Sequence, residues 1–175
     1  MASGSYPSRI VITGFMGTGK SSVGSALAKR LGYSFADLDQ AIEKGCGMKV
    51  AEIFEKKGEG FFREQEKKAL QATLKEKSVV VATGGGVVID PENRRLMKES
   101  GLVVTLTARP EVILQRVQGG KESRPLLGKG DKKETILKLM REREPFYKEA
   151  SLTVDTSGAT LEETVQELVC QLAGR

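Results

Sequence analysis

The chain has 175 residues, of which 39% are hydrophobic and 29% are charged, a composition typical of one globular domain with a buried core. It contains no histidine, which excludes nucleophilic catalysis of the Ser-His-Asp or Cys-His type and excludes zinc or haem sites ligated by histidine. The net charge of +5 is moderate and is compatible with an anionic small ligand as well as with nucleic acid.

Cysteine usage and hydropathy bear on where the protein works. Cys46 and Cys170 stand far apart and form no C-x-x-C motif, so we expect two reduced thiols in a cytoplasmic protein. No apolar run reaches the ~18 residues of a membrane-spanning helix, so we expect no membrane partner. The polar residues 1–8 lack the apolar stretch of a secretory signal. We interpret them as a disordered tail before a single domain over residues 9–175.

Short β-branched runs alternate along the chain with amphipathic stretches. A run such as Val79–Ala82 is apolar throughout, which indicates a strand covered on both faces, as in a parallel sheet. The predicted strands are Ile10–Thr13, Ser34–Asp37, Val79–Thr83, Leu102–Leu106 and Leu152–Asp155. The alternation predicts an α/β sandwich of about five parallel strands with helices between them.

Helical patterns fill the intervals between the predicted strands. Apolar residues recur at helical spacing over Val23–Leu31, and Pro91 and Pro110 each stand at a typical helix start. Residues 39–77 are too many for one crossover helix, so we expect several helices there. Residues 118–133 are rich in glycine and charge, and they resemble a mobile flap more than a core element.

The first predicted strand leads into a phosphate-binding sequence. Residues 14–21 read GFMGTGKS and match the pattern G-x-x-x-x-G-K-[ST]. The glycines let backbone N–H groups point at phosphate oxygens, and the following helix aims its N-terminus at the same anion. In such a loop Lys20 meets the outer phosphates and the Ser21 hydroxyl ligates Mg²⁺. The alternative, a glycine-rich turn without a ligand, does not explain why a strand precedes the motif and a helix follows it.

This motif indicates nucleotide binding but leaves the reaction open. A GTPase would need a guanine-specificity element such as N-K-x-D, and the sequence has none. The D-x-x-G at residues 155–158 lies far from where a GTPase has its switch loop, so we treat it as a chance match. Motor and translocating ATPases usually have larger cores. The small size and the helical insertion therefore favour a kinase for a small metabolite.

Carboxylates and glycines follow the next two predicted strands. Residues two apart on an extended segment point the same way, so Asp37 and Asp39 are expected to face one site together. We expect Asp37 near Mg²⁺ with Ser21 and Asp39 at a substrate hydroxyl; the alternative for Asp39 is a helix N-cap. Gly84–Gly86 would let backbone N–H groups approach a small ligand closely, and the alternative is a flexible turn. All of these residues lie at the sheet edge where α/β proteins bind ligands.

Three arginines are candidates for binding carboxylate or phosphate, because a guanidinium presents a planar, bidentate fork. Arg63 follows two phenylalanines, Arg124 lies in the predicted flap, and Arg143 stands two residues before a proline. Taken singly, each of them fits a solvated surface charge. They become a binding site only if the fold gathers them.

Together these motifs resemble those of the shikimate kinase family, in the family's order, from about residue 10 to residue 157. The matching segments are Gly14–Ser21 for the P-loop, Asp37–Asp39 for D-x-D, Phe62–Glu66 for F-R-x-x-E, Gly84–Gly86 for G-G-G, Arg124–Leu126 for R-P-L and Arg143–Tyr147 for R-x-P-x-Y. The set is far more specific than any one motif. The resemblance implies a P-loop kinase fold, three-layer α/β/α with strand order 2-3-1-4-5, a substrate-binding region over about residues 38–77 and a lid over about residues 118–133.

The resemblance also implies the reaction, which transfers phosphate from ATP to the 3-hydroxyl of shikimate in aromatic amino acid biosynthesis. The residues implied for ATP are Gly17, Thr18, Gly19, Lys20, Ser21, Ser22 and Arg124. Those implied for shikimate are Asp39, Arg63, Gly85, Gly86 and Arg143. Mg²⁺ is implied on Ser21 and, through water, on Asp37, and the implied catalytic residues are Asp39, Lys20 and Arg124.

Two weaker points and two alternatives remain. Residues 155–159 lack the basic residue that many members place beside the adenine, so backbone contacts are expected there, and Arg116 is within possible reach of ATP. The alternatives are another small P-loop kinase, for gluconate or a nucleoside monophosphate, and a non-catalytic module that binds nucleotide or nucleic acid. Few aromatic residues interleave with the basic ones, which argues against nucleic acid. We expect a monomer.

Overall fold

The computed structural model describes residues 6–119, 127 and 132–173. Residues 120–126 and 128–131 are outside this description, so Arg124 and most of the predicted flap lie outside the described residues. None of the described helices combines the length and the apolar character that a bilayer crossing requires.

Five parallel strands form one sheet in the order β2-β3-β1-β4-β5, which confirms the implied topology. The strands are β1 (Arg9–Gly14), β2 (Ser34–Asp37), β3 (Val79–Ala82), β4 (Leu102–Thr107) and β5 (Leu152–Asp155). Each end lies within one residue of its predicted position. The strand that precedes the P-loop, β1, therefore occupies the centre of the sheet, between β3 and β4.

The helices lie between the strands, as predicted. Those of the described residues are α1 (Lys20–Leu31), α2 (Leu38–Cys46), α3 (Val50–Thr73), α4 (Pro91–Ser100), α5 (Pro110–Gly119), α6 (Lys132–Tyr147) and α7 (Leu161–Leu172). The prediction of several helices over residues 39–77 is confirmed by α2 and α3. Pro91 begins α4 after Asp90, whose side chain accepts the N–H of Glu92 and so caps the helix.

Alternate strand residues face opposite sides of the sheet and build two cores. Ile10 and Ile12 of β1 belong to the core that contains side chains of α1 and α7. Val11 belongs to the other core, with side chains of α3, α4, α5 and α6. All three are fully buried, and burial of each contributes roughly 1.5–3 kcal/mol. The three-layer α/β/α prediction is thus confirmed.

The expected extended pairing of Asp37 and Asp39 is wrong. Strand β2 ends at Asp37, whose Oδ1 accepts the N–H groups of Asp39 at 3.0 Å and Gln40 at 3.2 Å. Asp37 is therefore the N-cap of α2, and Asp39 lies in the first helical turn instead of on the strand. An aspartate at this position stabilises a helix start by satisfying N–H groups that have no partner within the helix.

Helix α3 changes direction at Gly58, where φ is 82° and ψ is 168°. Ile53 before Gly58 and Phe62 after it form a small separate core with Ile42 of α2. Residues on both sides of Gly58, among them Phe54 and Arg63, line a cleft.

Three residues of the expected tail belong to the packed domain. Tyr6 packs against apolar side chains beside β1, and its carbonyl accepts the Tyr33 hydroxyl at 3.4 Å. The carbonyl of Ser8 accepts the N–H of Val79 at 3.2 Å. Residues 6–8 thus extend the fold beyond the boundary expected at residue 9.

Candidate active site

A cleft of about 980 Å³ opens where the P-loop, the start of α2, the bend of α3 and the glycines after β3 meet. The sequence-predicted residues that line it are Gly17, Gly19, Lys20, Ser21, Ser22, Asp37, Asp39, Arg63, Gly85, Gly86 and Arg143. Thr18 is not among the lining residues, because its side chain is buried and its hydroxyl donates to the Phe15 carbonyl at 2.7 Å. The Thr18 side chain therefore stabilises the loop from its buried side. Arg124, the remaining predicted residue, lies outside the described residues.

The P-loop has the geometry of an anion-binding loop. Gly17 and Gly19 have positive φ values of 78° and 92°, and α1 begins immediately afterwards at Lys20. Gly19 has no side chain that could cap α1, so the first N–H groups of the helix are left for a bound anion. The Lys20 ammonium donates to the Phe15 carbonyl at 3.0 Å, which holds it over the loop.

Arg116 and Thr156 brace the outer side of this loop. The Arg116 guanidinium donates to the Gly17 carbonyl at 3.1 Å and to the Thr156 carbonyl at 2.7 Å. The Thr156 hydroxyl donates to the Thr18 carbonyl at 3.0 Å. Because Arg116 also lines the cleft, the fold brings it to the edge of the nucleotide half. Its register on α5 could not be worked out from the sequence.

Ser21 and Asp37 form a pair of oxygen ligands beside the P-loop. The Ser21 hydroxyl donates to Asp37 Oδ2 at 2.5 Å. Hard oxygen donors suit Mg²⁺, which keeps several waters and is usually held by one or two protein groups together with substrate phosphates. No cluster of three or more metal-ligating side chains occurs among the described residues. The donor set therefore fits Mg²⁺ held jointly by protein and nucleotide.

Asp39 lines the cleft from the first turn of α2. Its Oδ1 is buried and has no hydrogen-bond partner among the described residues. Burial raises the pKa of this carboxyl, and the negative charge on Asp37 raises it further, against the lowering effect of Lys20. An acceptor oxygen held without a partner in a cleft is suited to a ligand hydroxyl.

Arg63 is held between two carboxylates. Its Nη1 donates to Glu66 at 2.8 Å, and its Nη2 and Nε donate to Glu59 at 3.1 and 3.2 Å. Burial alone would lower the Arg63 pKa, but Glu66 and Glu59 outweigh it and raise that pKa. A Cβ on Gly86 would stand 2.5 Å from Nη1, so a side chain at this position would displace the guanidinium.

Arg143 reaches the same cleft from α6. Arg143 is only 4% exposed, and its guanidinium lies over the Phe15 ring, 5.8 Å from the ring centroid. Two arginines from distant segments therefore converge beside the glycines after β3. Single arginines usually lie on the surface, and their gathering here favours recognition of an anion.

Glu66 is the last residue of the F-R-x-x-E motif, and the sequence indicates no role for it. It is completely buried, with one oxygen on Arg63 and the other, Oε1, without a partner among the described residues. Burial raises its pKa, while Arg63 lowers it. A Cβ on Gly84 would lie 2.7 Å from Glu66 Oε1 and 3.1 Å from Asp39 Oδ1, so both unpartnered oxygens face Gly84. The spacing of three after Arg63, typical of a helical ion pair, was the available signal.

The arrangement combines two kinds of recognition in one cleft. One half has backbone N–H groups, Lys20 and the Ser21–Asp37 pair, which suit a nucleoside triphosphate. The other half has Arg63, Arg143 and Asp39, which suit a small molecule that carries a carboxylate and hydroxyls. Chemically, this permits transfer of a phosphoryl group to an alcohol.

Comparison with known proteins points to one family. The family model for shikimate kinase matches residues 16–173. A shikimate kinase of Geobacter sulfurreducens is 51% identical over 159 residues, which cover 91% of this chain and 87% of that protein. One of Caldanaerobacter subterraneus is 48% identical over 160 residues, which cover 91% of this chain and 93% of that protein.

A solved structure agrees with the sequence relatives. The shikimate kinase from Acinetobacter baumannii in complex with shikimate is similar with a TM-score of 0.91 and 36% identity. The likeness covers 95% of this chain and 93% of that one. The similarity thus extends over nearly the whole chain, including both halves of the cleft.

Proposed function

The chain belongs to the shikimate kinase family, and from this we propose how its cleft transfers the γ-phosphate of ATP to the 3-hydroxyl of shikimate. The products are ADP and shikimate 3-phosphate, and the step is part of aromatic amino acid biosynthesis. The observation that carries the proposal is the convergence of the P-loop, Arg63, Arg143 and Asp39 on a single cleft.

We assign the ATP half to the P-loop, with Gly17, Gly19, Ser22 and the Lys20 ammonium around the phosphates. Ser21 and Asp37 would hold Mg²⁺, the latter through water, and the ion would neutralise charge on the outer phosphates when bound. Lys20 orients the transferred group, because it is positioned over the loop that cradles the phosphates. Backbone N–H groups at the start of α1 add a fixed positive potential.

The shikimate half is assigned to residues around Gly84–Gly86. Arg63 and Arg143 bind the carboxylate, and the Gly85 and Gly86 backbone with Asp39 bind hydroxyls. We assign the arginines to the carboxylate because it is the one anionic group of shikimate and the guanidinium groups are positively charged. Glu66 fixes Arg63 from the buried side and keeps its fork directed at the cleft.

The reaction forms a bond between the 3-hydroxyl oxygen and the γ-phosphorus and breaks the bond between that phosphorus and the β–γ bridging oxygen. The hydroxyl proton passes to Asp39. The Oδ1 atom of Asp39 can accept it, because this oxygen has no hydrogen-bond partner among the described residues. A carboxylate is a weak base towards an alcohol, and in a loose transition state its main work is to orient the hydroxyl. The proton then moves late, as the new bond forms.

We further propose that residues 38–77 form the shikimate-binding region and residues 118–133 a lid. On lid closure Arg124 would add positive charge at the phosphates, and closure would exclude water that otherwise hydrolyses ATP. These assignments extend the family resemblance to a single domain that begins at residue 6.

A cytoplasmic monomer that binds no nucleic acid is the form we propose for the protein. Cys46 and Cys170 are both free thiols, a state that a reducing compartment would maintain. Among the described residues, the large hydrophobic side chains that are exposed are Ile89 and Leu161. Two isolated side chains do not make an interface of the size that stable oligomers bury.

An acceptor panel tests the proposed function. ADP release is measured with ATP and Mg²⁺ in the presence of shikimate, gluconate or a nucleoside monophosphate. We expect ADP and shikimate 3-phosphate in equal amounts, and background rates with the other acceptors. If gluconate or the nucleotide supports ADP release while shikimate gives no more than buffer, the alternative kinases are favoured instead. If no acceptor does, a non-catalytic nucleotide-binding module is favoured.

A further inference from the structure

A buried tyrosine contacts the backbone of the substrate half. The Tyr147 hydroxyl donates to the Gly85 carbonyl at 2.5 Å, and Tyr147 is only 8% exposed. Burial raises the pKa of this hydroxyl to about 12, so it keeps its proton and acts as a donor at any ordinary pH. Neither the P-loop nor the proposed carboxylate-binding arginines account for this contact.

The contact matters because of peptide geometry. The Gly85 carbonyl and the Gly86 N–H belong to one planar peptide unit, and the described part of the chain has no cis peptide bond. In a trans peptide the C=O and N–H point in opposite directions. A hydroxyl that fixes the carbonyl on one side therefore fixes the N–H on the other.

We propose that Tyr147 is a positioning residue that aims the Gly86 N–H at bound shikimate. This rests on the proposed function, in which the Gly86 backbone belongs to the shikimate half of the cleft. Gly85 and Gly86 both line that cleft, and the Arg63 guanidinium lies against Gly86. Glycine peptides rotate easily, so an external hydrogen bond is needed to hold one orientation.

The same peptide lies beside the carboxylate site. Arg143 stands one helical turn before Tyr147 on α6, and its positive charge acts against the effect of burial on the Tyr147 pKa. A Cβ on Gly85 would lie 3.6 Å from Arg143 Nη1, so this guanidinium packs beside the peptide that Tyr147 contacts. Tyr147 and the arginine proposed to bind the carboxylate therefore approach Gly85 from the same helix.

The backbone of Tyr147 is anchored independently of its hydroxyl. The Tyr147 carbonyl accepts a hydrogen bond from the Thr105 hydroxyl at 3.0 Å. The Thr105 hydroxyl oxygen in turn lies 2.8 Å from the Thr13 hydroxyl oxygen. These bonds fasten the end of α6 to β1 and β4. Replacing Tyr147 by phenylalanine therefore removes the hydrogen bond to Gly85 and keeps the ring and the helix in place.

The test compares Tyr147→Phe with a matched control, Tyr33→Phe. Tyr33 also donates its hydroxyl to a backbone carbonyl, that of Tyr6, but it belongs to the core on the α1–α7 side of the sheet. We expect Tyr147→Phe to raise the KM for shikimate about tenfold, the effect of one hydrogen bond, with the KM for ATP within about twofold. Tyr33→Phe leaves both constants within about twofold, and both variants melt cooperatively.

Amide NMR gives a second readout that a merely structural role would not move. In the protein without substrate, the Gly86 amide resonance is expected to shift in Tyr147→Phe and to stay in place in Tyr33→Phe. The proposal is overturned if the KM for shikimate is unchanged, if the KM for ATP rises equally, or if the Gly86 amide does not respond. Wild-type protein without shikimate-dependent ADP release would instead refute the proposed function itself, and the positioning role with it.

Discussion

At the residue scale, Arg63 is neutralised by carboxylates before any substrate is bound. Glu66 holds it from the buried side, while Glu59 is half exposed and contacts the other edge of the guanidinium. In the proposed function, a substrate carboxylate would meet a fork that is already oriented, which lowers the entropic cost of binding. The planar shape of the group is therefore as important as its charge.

Arg63→Lys separates shape from charge. Lysine keeps the positive charge but loses the bidentate fork, so we expect the KM for shikimate to rise about 30-fold or more while the KM for ATP changes little. Arg95→Lys is the matched control, because Arg95 pairs with Glu99 on an exposed part of α4. Steady-state kinetics measure both KM values for each variant. An unchanged KM for shikimate in Arg63→Lys would show that Arg63 has a structural role and does not bind the carboxylate through its fork.

The raised pKa of Asp39 predicts a stability effect with a definite sign. Burial and the charge on Asp37 disfavour the ionised form in the folded state, so ionisation of Asp39 costs stability once the pH exceeds the ordinary value of 3.8. Asp39→Asn removes that cost. We expect its melting temperature to exceed that of the wild type by a few degrees at pH 7, with the difference vanishing as the pH falls towards 4.

Melting curves across pH, with Glu64→Gln as control, check this prediction. Glu64 is exposed and paired with Lys68, so its substitution should leave the melting temperature nearly unchanged at pH 7. A lower melting temperature for Asp39→Asn at pH 7 would mean that the Asp39 charge stabilises the fold.

Individual site residues could be predicted only where a motif gave them a fixed local geometry. The P-loop residues follow from the strand–loop–helix pattern alone. Arg63 and Arg143 needed the family resemblance, because nothing local distinguishes them from surface arginines. Arg116 and Tyr147 contact the site through tertiary packing of α5 and α6, and sequence spacing carries no signal of that packing.

At the scale of elements, the bend of α3 depends on one glycine. Gly58 has a φ of 82° and a ψ of 168°, a region that only glycine occupies readily, whereas Gly60 two residues later is helical. A Cβ on either residue would meet open space. The two positions thus differ in backbone conformation and not in packing.

We expect Gly58→Ala to destabilise the protein by roughly 1–3 kcal/mol, because alanine is strained at that backbone conformation. Gly60→Ala should stabilise it by about 0.5–1 kcal/mol, since alanine is the better helix former. Urea denaturation measures both free energies of unfolding. Equal effects from the two substitutions would show that the bend does not need Gly58.

The elements themselves were predictable to the extent that their patterns are unambiguous. Runs of mostly apolar residues predict the three inner strands β1, β3 and β4, because buried parallel strands have no polar face. The edge strands β2 and β5 contain polar residues and are indicated by their place between helical patterns. The junction after β2 was misread, because a D-x-D segment fits both an extended strand and a capped helix start. Only the hydrogen bonds from Asp39 and Gln40 to Asp37 distinguish the two.

At the scale of the whole molecule, the order of the strands brings the residues of the candidate site together. With β1 central and β3 beside it, the P-loop and Gly84–Gly86 leave the sheet at neighbouring positions. Helices α3 and α6 then bring one arginine each from segments far apart in sequence. The absence of histidine is consistent with the proposed chemistry, in which a lysine, arginines and one aspartate would act on ATP and shikimate.

In the proposed reaction, Asp39 acts on the acceptor hydroxyl in a cleft where ATP binds separately. The measurement is shikimate-dependent ADP release by Asp39→Asn, with ATP binding followed by calorimetry and Glu64→Gln as control. We expect turnover to fall by about 10²–10⁴-fold while the Kd for ATP stays within about twofold of the wild-type value. Near-normal turnover in Asp39→Asn with intact ATP binding would contradict the claim.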